Sequence, residues 1–157
     1  ADRHLKRYQM YAAGDPVRMK WFRIEKRWQT PQFGQSFYSP RVDLKQYDKE
    51  YRTALWIKPR GEAEYKIGGA GFKAFSAEVG MPKGCQAEAA MNFEIYVDGK
   101  LRTQSVLMTV NDAPRLLVVD GLTGAKEIML VNRMSDLHDN EHCIGFWADP
   151  TFYKSER

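Results

Sequence analysis

The sequence has no apolar run that approaches the roughly 20 residues needed to cross a bilayer. It is also poor in the residues that build metal and redox centres, since only two of its 157 residues are cysteine and three are histidine. Cys85 and Cys143 form no Cys-x-x-Cys motif, and two interpretations of them stay open: one disulfide in an oxidising compartment, or two buried thiols. We therefore expect no membrane-spanning segment and no zinc site of standard spacing in this chain.

Catalytic motifs are missing as well. The sequence contains no Gly-x-Ser-x-Gly elbow, no His-Glu-x-x-His helix and no Walker-type loop. The glycine-rich stretch GGAGF, residues 68–72, precedes a strand-like segment rather than a helix, so a β-hairpin turn explains it better than a phosphate cradle. We expect a protein that is not an enzyme and that needs no cofactor.

One polar segment gathers possible metal ligands. SDLHDNEHC, residues 135–143, contains Asp136, His138, Asp139, Glu141 and His142. Carboxylates and imidazoles this close together can bind a metal. Their spacing matches no standard ligand set, and a polar loop between two strands has the same composition. We interpret the segment as a loop and predict no metal site.

Charge is distributed unevenly along an otherwise ordinary composition. The hydrophobic share of 43% and the charged share of 28% are typical of one globular domain. Residues 1–60 hold 14 basic and 6 acidic residues, a net charge of +8, whereas residues 61–157 hold 10 and 14, a net charge of −4. The basic residues are scattered and follow no nucleic-acid reader motif, so we expect no nucleic-acid partner.

Short strand-like runs dominate the chain from about residue 54. In MNFEIYVDGKL, apolar residues alternate at Met91, Phe93, Ile95 and Val97, and Asp98-Gly99 supplies the dipeptide that a tight hairpin prefers. Runs of this kind recur about every ten residues, separated by Gly, Pro, Asn or Asp, which predicts an antiparallel sandwich or barrel. LLVV, residues 116–119, is apolar throughout and predicts a central strand buried on both faces or a strand that crosses the core.

The first 40 residues differ from this pattern. They are irregular, and they carry eight basic and three acidic residues together with several aromatics. MKWFRIEKRW, residues 19–28, fits a short helix or a strand, and TPQFGQSFYSP, residues 30–40, fits a loop or an edge strand. We expect an N-terminal arm over residues 1–40 that packs on the domain or on a partner, followed by a β-sandwich over residues 41–157.

Four blocks in the second half resemble the NPCBM family of carbohydrate-binding modules. They are ALWIKPRGEAEYKIGGAGFKAFSAEVGM, FEIYVDGKL, VVDGLTGAKEIMLVN and FWADPTF, and the resemblance covers about residues 50–153. It implies an all-β, antiparallel, jelly-roll-like β-sandwich that binds galactose-type glycans without catalysis. It also implies an extracytoplasmic location, periplasmic or secreted, because family members commonly accompany glycoside hydrolase domains.

The chain departs from the family pattern at two polar spots. Ala54 and Trp56 stand where the family has the two glycines of a Gly-x-Gly-Val-His stretch, and Lys58 stands at its histidine. Near the end, where the family often reads Asp-His-Ala-Asp-Trp, this chain has EHCIGFW, with Phe146 just before the tryptophan. These divergent loops provide the candidate ligand-binding residues, each of which could instead be an ordinary exposed loop residue: Trp56, Lys58, Arg60, Glu141 and His142.

A second hypothesis makes the chain an accessory or structural subunit of an extracytoplasmic assembly, with the sandwich serving as a protein-interaction scaffold. Tyr, Trp, Met and Arg are enriched at protein interfaces, and the N-terminal arm is rich in them. Its candidate partner-binding residues combine aromatic anchors with basic neighbours: Arg3, Lys6, Tyr8, Tyr11, Trp21 and Phe22. We expect the four tryptophans to divide, with Trp147 in the core and Trp56 partly exposed.

Overall fold

The structure is a computed structural model of the 157-residue chain. It describes residues 10–14, 16–22, 28–29, 38–39, 42–44, 49–51, 53–82, 90–134 and 144–155. No helix among these residues is long and apolar enough to cross a membrane.

The described residues form fourteen strands. In chain order they are β1 (Met10–Ala12), β2 (Arg18–Phe22), β3 (Trp28–Gln29), β4 (Tyr38–Ser39), β5 (Val42–Leu44), β6 (Lys49–Tyr51), β7 (Ala54–Ile57), β8 (Gly61–Lys66), β9 (Ala74–Gly80), β10 (Met91–Val97), β11 (Lys100–Gln104), β12 (Arg115–Val119), β13 (Glu127–Met134) and β14 (Gly145–Tyr153).

Two antiparallel sheets make up the sandwich. Sheet A has the order β12-β9-β14-β7-β4, and β1 pairs with the second half of β14. Sheet B has the order β11-β10-β13-β8-β2-β3, and β5 and β6 form a separate two-stranded sheet. Ten of the thirteen pairs of consecutive described strands therefore change sheet, as in a jelly roll. The predicted all-β antiparallel sandwich is confirmed.

The alternation of apolar residues in β10 determines which face of sheet B points into the core. Met91, Phe93, Ile95 and Val97 are all buried in the core between the sheets, as predicted. The hairpin that follows turns through Asp98-Gly99, whose φ angles are 49° and 82°. The Asp98 carboxylate also accepts the backbone N–H groups of Lys126 and Glu127, at 2.9 and 3.0 Å. The turn thus ties β10 to the start of β13.

Trp147 of sheet A lies at the centre of the core, as predicted, and is fully buried. Its ring meets Phe93 edge to face, with centroids 5.6 Å apart. Its indole N–H donates to the side-chain oxygen of Asn132 at 2.6 Å, and the Asn132 amide donates to the carbonyl of Ile57 at 2.9 Å. One buried amide therefore links sheet B to two strands of sheet A, and leaves neither partner unpaired.

Two sequence predictions were wrong about the position of a segment. LLVV forms β12, but β12 is an edge strand of sheet A, and Leu116 is 50% exposed on its outer side. GGAGF is a turn, but it joins β8 of sheet B to β9 of sheet A, so it is a crossover between sheets rather than a hairpin. Gly69 and Gly71 have φ angles of 79° and 78°, which explains the glycines in this turn.

The described part of the N-terminal segment belongs to both sheets. β1 pairs with β14, and β2 pairs with β8 in the register Arg18 to Glu64. Met19 is fully buried in the core. The stretch RMKWF forms the strand β2 rather than a helix, and the Tyr38–Ser39 part of the next segment is the edge strand β4. β1 and β2 are thus paired strands of the two sheets.

Candidate functional site

Trp56 lies on the outer face of sheet A, the side that points away from the core. This face carries Ala54, Trp56, Ser76, Glu78, Gly80, Leu116, Phe146 and Ala148. Because side chains alternate along a strand, Leu55 and Ile57 on either side of Trp56 enter the core and are fully buried. Trp56 is half-buried, as predicted, and is held by its neighbours in β14.

A small second cluster of apolar side chains covers part of this face. Phe146 pairs with Trp56 across the strands, and their rings meet edge to face with centroids 5.6 Å apart. Tyr51 approaches the other side of Phe146 at 6.4 Å, and Ala54 and Ala148 complete the cluster. Phe146 also covers Gly80, where an added β-carbon would come within 2.6 Å of the phenyl ring. Trp56 and Phe146, which stand at the two places where the sequence departs from the family pattern, therefore pack against each other.

Lys58 and Arg60 follow Trp56 at the end of β7, and both are half-buried. The Asn132 amide bonds to the carbonyl of Ile57, the residue just before Lys58, and so fixes the position where β7 ends. Lys58 has interaction partners within the structure. One aromatic ring, Trp56, and two cationic side chains, Lys58 and Arg60, thus lie within five residues at the end of β7. This combination suits contact with the ring face and the hydroxyls of a sugar.

Glu141 and His142 lie outside the described residues, as does the whole segment 135–143 and both cysteines. Gly145, three positions after His142, pairs with Ile57 in the sheet. The described strand therefore reaches the end of β7 where Lys58 lies. Within the residues that the structure describes, no group of three or more His, Cys, Asp or Glu side chains could hold a metal ion.

The candidate partner-binding residues are only partly described. Arg3, Lys6 and Tyr8 lie outside the described residues, and Trp21 and Phe22 are known only as members of β2. Tyr11 is exposed, but its ring contacts Phe72 at 5.7 Å and lies 5.0 Å from the Lys154 ammonium. Docking of these residues on a partner stays a prediction.

Asn132 is a site-positioning residue that the sequence analysis missed. It lies at the end of the apolar run in KEIMLVNR, two positions after Leu130 and four after Ile128, both of which face the core. A polar residue on the inward phase of a strand must find partners in the core. This inward position was the available signal, but the two partners come from β7 and β14 of sheet A, which lie against β13 only in the folded protein.

A groove of about 980 Å³ lies on the outer face of sheet A next to this cluster. It runs between the exposed side chains of Met10 in β1 and Leu116 in β12. Its other lining residues are mostly small or polar: Ala12, Thr53, Ser76, Ala77, Glu78, Ala148, Asp149, Pro150, Thr151 and Tyr153. The sequence analysis named none of these residues as functional. The exposed Leu116 in the apolar run LLVV is the clearest signal, visible only once β12 is known to be an edge strand.

Hydrogen bonds hold the polar groups of the groove in place. The hydroxyls of Ser76 and Tyr153 lie 2.8 Å apart. Asp149 sits at the irregularity in β14 with a φ of 46°, and its carboxylate accepts the backbone N–H of Thr53 at 3.0 Å. The Thr151 hydroxyl donates to the carbonyl of Asp149 at 2.8 Å. The β14 irregularity thus shapes one end of the groove.

The Tyr51 hydroxyl is a buried polar group beside this groove. Tyr51 is 6% exposed, and its hydroxyl forms no hydrogen bond of full geometry, although the Glu78 side chain is close enough to interact with it. Burial raises the pKa of this hydroxyl strongly, and its interaction with the Glu78 side chain and the negative charges of Glu78 and Asp149 raise it further. The hydroxyl is therefore a donor beside two carboxylates.

Comparison with solved structures identifies modules of the same fold. The CBM51-2 module of Clostridium perfringens ZmpB, solved with GlcNAc, superposes with a TM-score of 0.59 at 21% identity over 87% of this chain. The CBM51 module from a Clostridium perfringens GH95 protein, solved with methyl-galactose, gives 0.58 at 15% identity over 92% of this chain and 87% of its own length. The tandem CBM51 modules of Sp3GH98 from Streptococcus pneumoniae give 0.60 at 16% identity over 88% of this chain and 37% of theirs.

The chain spans about a quarter of the ZmpB structure, 25% of its length. A comparison with curated protein sequences finds no match. The family model of the NPCBM/NEW2 domain matches residues 17–153, which includes β2 and all later strands of both sheets. The chain therefore belongs to the NPCBM/NEW2 domain family of non-catalytic carbohydrate-binding modules.

Proposed function

We propose that this module binds an uncharged, galactose-type glycan through the outer face of sheet A, where Trp56 provides the surface for the sugar ring. The observation that carries this proposal is the family match over residues 17–153. The sugars in two structures of the same fold, methyl-galactose and GlcNAc, are both uncharged pyranoses and support the choice of ligand class.

The end of β7 supplies the groups that such a ligand needs. Sugar recognition combines an apolar ring face with a few directed polar groups. Trp56 is fixed against Phe146 and half-buried, so little side-chain entropy is lost when it holds a ligand. Lys58 and Arg60 follow it and can donate to hydroxyl oxygens. We propose Glu141 and His142 as further ligand contacts, because Gly145, three positions after His142, pairs with Ile57.

The wider context of the module is also a proposal. The likeness to domains that are parts of larger proteins, including a GH95 protein and Sp3GH98, supports a role in bringing a linked catalytic domain to its glycan. We place that protein outside the cytoplasm. Recovery of the full-length protein from the culture medium or periplasm tests the location, and an exclusively cytoplasmic pool would contradict it.

Calorimetric titration with methyl-galactose and with a neutral galacto-oligosaccharide tests the ligand site. Trp56→Ala should weaken binding by about tenfold or more, because removal of a central aromatic anchor has effects of this size. Trp56→Phe keeps a ring against Phe146 and should lose less. Tyr96→Phe, on a half-buried aromatic of the opposite sheet, is the matched control and should bind like the wild type. Equal affinity of the wild type and Trp56→Ala would overturn the placement.

A further inference from the structure

The groove on the outer face of sheet A is separate from the end of β7 where Trp56 lies. Its lining includes residues of β1, β9, β12 and β14, and neither Trp56 nor Lys58 belongs to it. The volume of about 980 Å³ is large enough for a ligand of several rings. Its two walls are apolar, because Met10 and Leu116 are 46% and 50% exposed. Exposed apolar side chains mark binding surfaces, and these two can contact the apolar C–H faces of sugar rings.

The charge of the groove selects against anionic ligands. Glu78 and Asp149 are acidic, and no described lining residue is basic. A carboxylate offers about four acceptor positions, so each can accept ligand hydroxyls beside the partners it already has. Ser76, Thr151 and Tyr153 add hydroxyls. A sialylated or sulphated glycan would meet repulsion here, whereas a neutral glycan finds acceptors and hydroxyls along the floor.

The buried hydroxyl of Tyr51 points to the same place. It lies beside the side chains of Glu78 and Asp149, which line the groove, and it interacts with Glu78 without a hydrogen bond of full geometry. A buried hydroxyl with an incomplete hydrogen bond is costly. When a ligand fixes the Glu78 carboxylate, the Tyr51 hydroxyl can complete its bond to that carboxylate. Tyr51 would then be a positioning residue that acts through Glu78.

We propose that this groove is a second binding site of the module, which holds a stretch of an uncharged glycan chain against Leu116 and Met10 and accepts its hydroxyls at Glu78. The inference rests on the proposed carbohydrate-binding function. Two sites on one face would let the module hold a longer chain than a single sugar pocket could.

Nuclear magnetic resonance titration of the full chain with a neutral galacto-oligosaccharide tests the groove. The Trp56→Ala variant is titrated first, since it lacks the site at the end of β7. Backbone signals of Ser76, Glu78 and Thr151 should still shift and saturate. Glu78→Gln should then weaken this step by about tenfold, because a hydrogen bond to a charged group is lost. Leu116→Ala should weaken it as well, whereas Leu107→Ala, an equally exposed leucine away from the groove, should not.

Tyr51→Phe separates positioning from folding. It should weaken the groove step severalfold while the unfolding midpoint changes little, because the removed hydroxyl forms no hydrogen bond of full geometry. Tyr65→Phe is the control, since that hydroxyl donates to the carbonyl of Gly14 at 3.0 Å. It should lower the unfolding midpoint and leave the groove step intact.

The outcomes distinguish the two proposals. Shifts near Trp56 alone, lost in Trp56→Ala, would overturn the groove site and leave the proposed function standing. Groove shifts that persist in Trp56→Ala and disappear in Glu78→Gln would support the groove even if the β7 site fails. Two results would overturn the groove as a glycan site. One is that a lysine-containing peptide, and not the neutral oligosaccharide, shifts the groove signals. The other is that no neutral glycan shifts them.

Discussion

The outer faces of the two sheets satisfy their polar groups in different ways. On sheet B, charged side chains pair with each other: Arg133 donates to Glu94, and Lys66 contacts both Glu64 and Glu127 at 2.9 Å. The outer face of sheet A instead combines an apolar cluster, a groove and the buried Tyr51 hydroxyl, whose bond to Glu78 is incomplete. Charged groups that are paired with each other, as on sheet B, are less able to bind a ligand. The outer face of sheet A presents polar groups and apolar surface that a ligand can contact.

The difference can be traced to residue choice at matching positions. The outward-facing positions of β8 and β10 hold Glu64, Glu94 and Tyr96, which lie next to basic partners from β2 and β13. The outward phase of β9 and β14 places small residues such as Ser76 and Ala148 between exposed edges, which leaves a concavity. Both sheets bury the same kind of inward face, so the functional asymmetry lies only in what points outward.

The largest expected effect compares the shared core with the outer cluster of sheet A. Phe93→Ala should lower the free energy of unfolding by about 3–5 kcal/mol, since the ring is fully buried against Trp147. Phe146→Ala should cost about 3 kcal/mol, because this residue is fully buried although it faces outward. Urea unfolding measures both, with the exposed Leu101→Ala as control. A cost below about 1 kcal/mol for Phe146→Ala would mean that sheet A has no second cluster.

A smaller effect tests how tightly Phe146 is packed. Gly80→Ala places a β-carbon within 2.6 Å of the ring, which Tyr51 and Trp56 hold from two sides. We expect a loss of about 1–3 kcal/mol by overpacking. Adding Phe146→Leu should recover part of that loss, so the two changes should not be additive. Gly68→Ala, whose β-carbon would have no neighbour within 3.4 Å, is the control. Additive losses would contradict the contact.

The ion pairs of sheet B provide the next test. Arg133→Ala removes the charged donor from Glu94, whose side chain is 9% exposed, and should cost about 1–2 kcal/mol. High salt should reduce this cost only in part, because the pair is partly buried. Lys66→Ala on the same face should cost less, since the Lys66 side chain is 58% exposed. Equal costs for the two variants, both removed by salt, would show that the face is held by surface charges alone.

The smallest expected effect is a difference between the two faces in how the stability of the protein depends on pH. The pKa of Glu64 is lowered, chiefly by its bond with Lys66, so its contribution is present above its ordinary pKa of 4.5 and is lost as the pH falls. The pKa of Tyr51 is raised, chiefly by burial, so its contribution is present below its ordinary pKa of 10.0 and is lost as the pH rises.

Thermal unfolding between pH 3 and pH 11 measures this pair of effects. Glu64→Gln should reduce the dependence of the unfolding temperature on pH only in the acid range. Tyr51→Phe should reduce it only in the alkaline range. Tyr65→Phe serves as the control for the alkaline side. An alkaline profile unchanged by Tyr51→Phe would contradict the buried, carboxylate-flanked position of that hydroxyl.

The sequence predicted elements whose signals are local. The alternation at Met91 to Val97, the Asp98-Gly99 turn and the core position of Trp147 depend on neighbours within a few residues. The prediction that LLVV is buried on both faces was wrong, because burial of an outward side chain depends on the neighbouring strand. Among the described residues, β12 has a neighbouring strand on one side only. The pairing of Trp56 with Phe146 was missed although both residues were noticed, since 90 positions separate them and only the register of β7 with β14 brings them together.

A structure of the module co-crystallised with a neutral galacto-oligosaccharide tests most directly whether the outer face of sheet A is the binding face. We expect the sugar to lie on that face, with one ring against Trp56 and further rings along the groove between Met10 and Leu116. A sugar bound on the outer face of sheet B, among Glu64, Glu94 and Arg133, would contradict this assignment.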